Sequence, residues 1–207
     1  PNMATLDTSR GCPFRCSFCT IINVQGKRMR CRSAEAILKS IEENWDVGVR
    51  DYFFTDDNLS RSHVWEEVFD GLKDMAERGK KITFMMQVDT QAYRIPNFVA
   101  KAQEAGCHMV FVGMETVNPK NVEATGKNQN DTETYAKMVE TWHDAHIRVH
   151  VGYIIGLPHD TAQSVRDDVE TLRNHVMVDE ASFFMLTPLP GSEDHRNMVQ
   201  NGIPIDA

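Results

Sequence analysis

The feature that most constrains this chain is an alternation. Short apolar runs at Met3–Asp7, Tyr52–Thr55, Ile82–Val88, His108–Met114, Ile147–Ile155 and Ala181–Leu186 alternate with longer segments whose apolar residues recur at helical spacing. The runs are rich in β-branched and aromatic residues, and their length predicts buried strands. Between them, Ala34, Ile37, Leu38, Ile41 and Trp45 mark one helical face. So do Trp65, Val68, Phe69, Leu72 and Met75; Phe98, Val99, Ala102 and Ala105; Tyr135, Met138, Val139 and Trp142; and Val165, Val169, Leu172 and Val176. Ser33 as an N-cap, Gly48, Gly79 and Gly106 as stops, Pro96 in a first turn, and Asp160 with Gln163 as a capping box set the expected helix boundaries.

Strand, loop and helix in repeated order is the pattern of a parallel sheet wound by right-handed crossovers. The 207 residues fall short of the ~250 typical of a closed eight-stranded barrel. The expected fold is therefore α/β, a six-stranded parallel partial (β/α)6 TIM-like barrel, with a doubly wound sheet as the alternative. Both place ligands at the carboxyl ends of the strands.

Composition narrows the classes of function. At 41% apolar, 25% charged and 8% aromatic residues, the chain is globular rather than disordered or collagenous. Uncharged stretches such as Ala181–Ser192 fall short of the ~18 apolar residues of a membrane-spanning helix; with a mean hydropathy of −0.42, a soluble protein is expected. A net charge of −8 gives no electrostatic footprint for nucleic acid or an anionic membrane. The dense basic run of Lys27, Arg28, Arg30 and Arg32 reads either as a solvated loop or as counter-charge near the cysteines. The chain opens on Pro1 rather than Met and carries no signal peptide, so residues 1–207 are expected to be one domain of a longer chain whose flanking domains are absent.

Of five cysteines, Cys12, Cys16 and Cys19 crowd into Arg10-Gly11-Cys12-Pro13-Phe14-Arg15-Cys16-Ser17-Phe18-Cys19, directly after the first strand. An odd count with three in one loop is a poor disulfide framework and points to a metal site in a reducing compartment. Three thiolates can ligate three irons of a 4Fe–4S cluster and leave the fourth iron open. The competing reading is a zinc site completed by Cys31 in a non-catalytic interaction module, although structural zinc prefers paired C-x2-4-C units. Cys107, flanked by apolar residues, reads as an inert buried thiol.

The C-x3-C-x2-C spacing, with Phe18 before the last Cys, resembles the signature of the radical S-adenosylmethionine (radical SAM) superfamily. The resemblance continues along the chain through Phe54-Thr55-Asp56-Asp57-Asn58, Gly113-Met114-Glu115-Thr116, Gly152 to Pro158, and Thr187 to Ser192, each at a strand's carboxyl end. It implies an enzyme in which Cys12, Cys16 and Cys19 hold a 4Fe–4S cluster. It also implies that Phe18, Asp56, Asp57, Asn58, Glu115, Gly156 and Pro188 surround S-adenosylmethionine. Asp56 to Asn58, where the family often has Gly-Gly-Glu, would meet the methionyl amino group, Glu115 the ribose or methionyl part, and Gly156 and Pro188 the adenine. The implied reaction is reductive cleavage of the cofactor to a 5′-deoxyadenosyl radical, in an oxygen-sensitive cytoplasmic enzyme served by a reductant such as flavodoxin or ferredoxin. The Asp-Asp-Asn version resembles the subgroup that often carries a cobalamin-binding domain, which implies cobalamin bound outside this chain and methyl transfer or rearrangement. A methylthiotransferase-like modification of transfer RNA is the second enzymatic reading, disfavoured by the acidic charge. No residue is assigned as a general acid or base.

Other motifs carry less. Asp56 and Asp57 are neighbours that point to opposite faces of a strand, so one of the two is expected to be structural. His143, His146 and His150 have ligand-like spacing, but the first two suit a helix carboxyl end and the third a strand. Ala124-Thr125-Gly126-Lys127 imitates a phosphate loop, yet Asn121 stands where its first Gly belongs.

Overall fold

The computed structural model describes residues 3–204; Pro1, Asn2 and the Ile205-Asp206-Ala207 end lie outside the described residues. The strands are β1 (Met3–Leu6), the two-residue β2 (Ser9–Arg10) and β3 (Arg30–Cys31), β4 (Asp51–Phe54), β5 (Thr83–Val88), β6 (Cys107–Glu115), β7 (Arg148–Ile155) and β8 (Glu180–Met185). The helices are α1 (Ile21–Val24), α2 (Ala34–Asp46), α3 (Trp65–Glu77), α4 (Phe98–Glu104), α5 (Pro119–Ala124), α6 (Tyr135–Asp144), α7 (Ala162–Thr171) and α8 (Glu193–Gln200). The main sheet has the order β1-β4-β5-β6-β7-β8, and every neighbouring pair is parallel. Each of these strands therefore pairs with the one before it, as a partial (β/α)6 barrel requires.

Period-two alternation sorts the strand side chains into two layers. Phe84, Met86 and Val88 of β5 and Val110, Val112 and Met114 of β6 are buried in the main core. Gln87, Phe111, Gly113 and Glu115 point the other way and line a cavity. On the helical side, Phe54 stacks on Phe84 at 4.6 Å, and Phe98 bridges Trp65 at 4.8 Å, Phe69 at 5.5 Å and Trp142 at 6.2 Å. Such pairs add about 0.5–1.5 kcal/mol each beyond their burial, and this chain of rings fixes α3, α4 and α6 against the sheet.

Several local expectations are corrected. Pro96 precedes α4 rather than sitting in its first turn, because Asn97 at φ 63° turns the chain before Phe98 enters the core. The cap of α7 is Thr161 with Ser164, not Asp160 with Gln163; the Asp160 carboxylate accepts instead from the N–H groups of Gly156 and Leu157. The stripe through Val165 and Val169 buries no residue on α7, since α7 lies at the open end of the sheet; the chain reaches the core only at Leu172 and Val176. Three short helices escaped the periodicity argument: the single-turn α1, which has no side-chain cap, and two that carry caps, Asn118 before Pro119 in α5 and Ser192 before the acidic first turn of α8.

At that open end, β8 has no further neighbour among the described residues. Phe183, Phe184 and Met185 are 45%, 51% and 70% exposed there. Among the described residues, no helix is long and apolar enough to cross a membrane.

Candidate functional site

The cysteine loop springs from the carboxyl end of β1 and is closed by the antiparallel pairing of β2 with β3. Gly11 makes the turn possible. Its φ is 100°, and a Cβ there would stand 2.7 Å from the Arg28 carbonyl oxygen, so no larger residue fits without moving backbone. The Gly11 N–H donates to Asp57 at 2.7 Å, the Cys12 N–H to the Gly26 carbonyl at 3.2 Å, and the Ser17 N–H to the Thr125 carbonyl at 3.0 Å. Three separate parts of the fold thus hold the loop.

Cys12, Cys16 and Cys19 all line one cavity of about 170 Å³, together with Phe18, Asp57, Asn58, Asp89, Glu115, Lys127 and Gln129. Burial pushes the Cys12 and Cys19 thiols up, against the backbone N–H groups of Phe14 and Ile21 that oppose it. Among the described residues, no three His, Cys, Asp or Glu side chains converge tightly enough to hold a single ion. Three thiols on the rim of one cavity suit a cluster, where each sulfur meets a different iron. The soft donors and the N–H groups aimed at them match the ligand chemistry of a 4Fe–4S cluster. Cys31 is not in the lining; its sulfur lies 3.3 Å from both Ser62 Oγ and His63 Nδ1. Burial pushes the Cys107 thiol far up at the start of β6, in keeping with an inert role.

The remaining expected site residues divide. Asp57 and Asn58 reach the cavity, but Asp56 is fully buried beneath the loop. Its carboxylate accepts from the Thr8 N–H at 2.9 Å, the Thr8 hydroxyl at 2.6 Å and the Ser9 hydroxyl. Burial still outweighs these bonds and holds its carboxyl above the usual range. Asp56 ties β4 to the segment that enters the cysteine loop. Gly156 and Pro188 line a neighbouring cavity of about 380 Å³ with Ser17 and Thr125. Phe18 also borders an apolar cavity of about 350 Å³ formed with Ile154, Phe184 and Leu186, which places the Phe18 ring between that cavity and the thiols.

Glu115 sits at a break in the β6–β7 register with φ 66°, a strained backbone for a non-glycine residue. From there its carboxylate meets the Lys127 ammonium, 2.6 Å away. Gly113 leaves room for the pair, because a Cβ there would lie 2.8 Å from Glu115 Oε1 and 3.1 Å from Lys127 Nζ. Burial would lower the Lys127 pKa, but the Glu115 carboxylate beside it prevails and raises it. Opposite, the Asp89 carboxylate takes two hydrogen bonds from Arg61, at 2.6 and 2.8 Å, and one from the Asn58 amide at 2.9 Å. Burial opposes ionisation of Asp89, but Arg61 and Asn58 prevail and hold its carboxyl below the usual range.

Sequence reasoning missed Asp89, Lys127 and Gln129. The segment set aside as an imperfect phosphate loop supplies Lys127, and only its place after the Glu115 strand offered a signal. The three histidines find separate surroundings: His143 pairs with Asp179 at 2.7 Å, His150 with Ser182 at 2.8 Å, and His146 occupies a turn at φ 57°. Lys27, Arg28, Arg30 and Arg32 are exposed and outside the cavity lining. A larger cavity of about 590 Å³, lined by Lys73, Thr83, Gly106 and His108, opens at the amino ends of β5 and β6, away from the thiols.

A parallel partial barrel with a three-thiol loop after its first strand defines a class. Residues 6–172 match the radical SAM superfamily, and the chain belongs to it. That superfamily consists of enzymes that use a 4Fe–4S cluster, S-adenosylmethionine and an external reductant, so the zinc-stabilised interaction module is set aside. The bacteriochlorophyllide d C-8(2)-methyltransferase of Chlorobaculum tepidum is 28% identical, over 94% of this chain and 44% of its own length. The hopanoid C-2 methylase of Rhodopseudomonas palustris is 28% identical, over 78% of this chain and 31% of its own. In fold, the chain is similar to the radical S-adenosylmethionine methyltransferase TsrM of Kitasatospora setae, whose structure holds cobalamin and a 4Fe–4S cluster. The TM-score is 0.82 at 18% identity, covering 99% of this chain and 38% of that one. The chain thus spans less than half the length of these relatives.

Proposed function

We propose that this chain is the catalytic core of a cobalamin-dependent radical SAM methyltransferase, with cobalamin held by a domain outside residues 1–207. The observation that carries the core reading is the grouping of Cys12, Cys16 and Cys19 on one cavity with the Glu115–Lys127 and Asn58–Asp89 pairs. The bound cluster and S-adenosylmethionine supply the one-electron cleavage that yields a 5′-deoxyadenosyl radical. The chain's own residues bind and orient. Cys12, Cys16 and Cys19 would hold three irons, and Asp57 fixes the loop through the Gly11 N–H. Asn58, fixed by Asp89, and the Glu115–Lys127 pair present polar groups of both signs to the amino, carboxylate and ribose parts of the cofactor. Phe18, Ile154 and Phe184 offer an apolar wall that excludes water.

The names of both curated relatives state methyl transfer, which supports it over rearrangement and over methylthiolation of transfer RNA. The cofactor-side assignments of Gly156 and Pro188 belong to the same proposal, as do a flavodoxin- or ferredoxin-type reductant and a cytoplasmic location. The test is anaerobic reconstitution with iron and sulfide, followed by dithionite and S-adenosylmethionine. A reduced-cluster paramagnetic signal and 5′-deoxyadenosine are expected. A colourless protein without either would refute the core reading.

A further inference from the structure

The loop after α5 brings one more group to the cysteines. Gln129 Nε2 lies 3.7 Å from Cys16 Sγ, in range of an N–H···S hydrogen bond. Cys12 and Cys19 are met by the N–H groups of Phe14 and Ile21, with the Asn58 amide also at Cys12. For buried Cys16, the donor comes from 113 residues away. It is rigidly mounted. The Asn130 amide donates to the Met114 carbonyl at 2.8 Å and the Tyr135 hydroxyl at 2.9 Å, Thr90 Oγ donates to Asn130 Oδ1 at 2.9 Å, and Ser17 bonds Thr125 at the start of the same loop.

We propose that Gln129 is a positioning residue that raises the reduction potential of the cluster through its bond to Cys16. Reduction adds one electron from the external donor to the cluster and increases negative charge on its thiolate sulfurs. An N–H dipole aimed at a sulfur stabilises the reduced form more than the oxidised one, and iron–sulfur potentials respond to such bonds and to nearby charge. Lys127, buried beside Cys16 and Cys19, acts in the same direction. The inference rests on the cluster reading above.

The test is a redox titration of the reconstituted protein with dithionite, followed by electron paramagnetic resonance, without S-adenosylmethionine. Gln129→Leu removes the N–H at similar size, and Gln129→Glu places a carboxylate at the same reach. The equilibrium constant for reduction should fall about tenfold in the first, which is about 59 mV for one electron, and further in the second. Iron and sulfide content should stay unchanged. Should the Leu variant lose its cluster, the Glu variant reports the same quantity. A cluster of unaltered potential in the variants overturns this inference alone, whereas an unmutated protein that binds no cluster overturns the core reading and this one with it.

Discussion

Replacing Lys127 by Met isolates the pair that the structure builds most deliberately beside the thiols. The Lys127 and Glu115 side chains are 8% and 15% exposed, and their charged atoms lie 2.6 Å apart. Met preserves most of the volume of the Lys stem, so the main change is a carboxylate left without its partner. Breaking a buried pair in this way costs about 3–5 kcal/mol. Because Glu115 borders a cavity that water can enter in the cluster-free protein, the low end, about 3 kcal/mol, applies. With a urea slope of about 2 kcal/mol per M, the unfolding midpoint should fall by about 1.5 M. Adding Glu115→Gln removes the stranded charge, and the double variant should recover most of the loss. Urea unfolding of the reduced, cluster-free protein, followed by tryptophan fluorescence, measures all four corners of the cycle. A Lys127→Met protein within about 0.5 kcal/mol of the unmutated one, or additivity of the two changes, would refute the reasoning.

Single replacement of Cys12, Cys16 or Cys19 by Ala should abolish the cluster, while Cys31→Ala and Cys107→Ala retain it; iron content after reconstitution decides. Asp56→Asn should cost about 1.5–3 kcal/mol for a lost charge-assisted bond and speed amide hydrogen exchange at Thr8–Gly11, with unaltered exchange speaking against its tethering role. Burial opposes ionisation of Asp179, but the Val149 N–H and His143 hold its carboxyl below the usual range. Its contribution is therefore complete above the carboxyl pKa of the unfolded chain and lost as pH falls through the lower folded value. Asp179→Asn should accordingly flatten the acid limb of stability below the ordinary carboxyl range, at pH values under about 4, as thermal melts on the acid side would report.

The strands were legible because a buried parallel strand leaves a run of apolar residues that nothing else explains, and the long helices because each has one face to bury. Cys12, Cys16 and Cys19 were legible because ligand chemistry fixes residue type and spacing together. What escaped was decided by tertiary register. Asp56 and Asp57 are equivalent as sequence, and only the pairing of β1 with β4 sends one beneath the loop and the other to its edge. Lys127 and Gln129 lie in a polar loop with no periodicity, and they acquire a role because Glu115 and Cys16 come to meet them. The helices α5 and α8 are too short to show a stripe, so their caps were the sole local sign.

The stepwise strand order has a consequence for how the molecule is made. Every residue lining the cysteine cavity falls between Cys12 and Gln129, on strands and loops that are translated before β7 and β8. At about 5–20 residues per second, the remaining 78 residues of the 207 take roughly 4–16 s to follow. The thiols of a nascent chain are therefore all translated, and their partners Asp57, Glu115 and Lys127 with them, while β7 and β8 are still to come. During that interval the growing chain already contains the three thiols and the residues that line their cavity, but not β7 and β8, the last two strands of the main sheet.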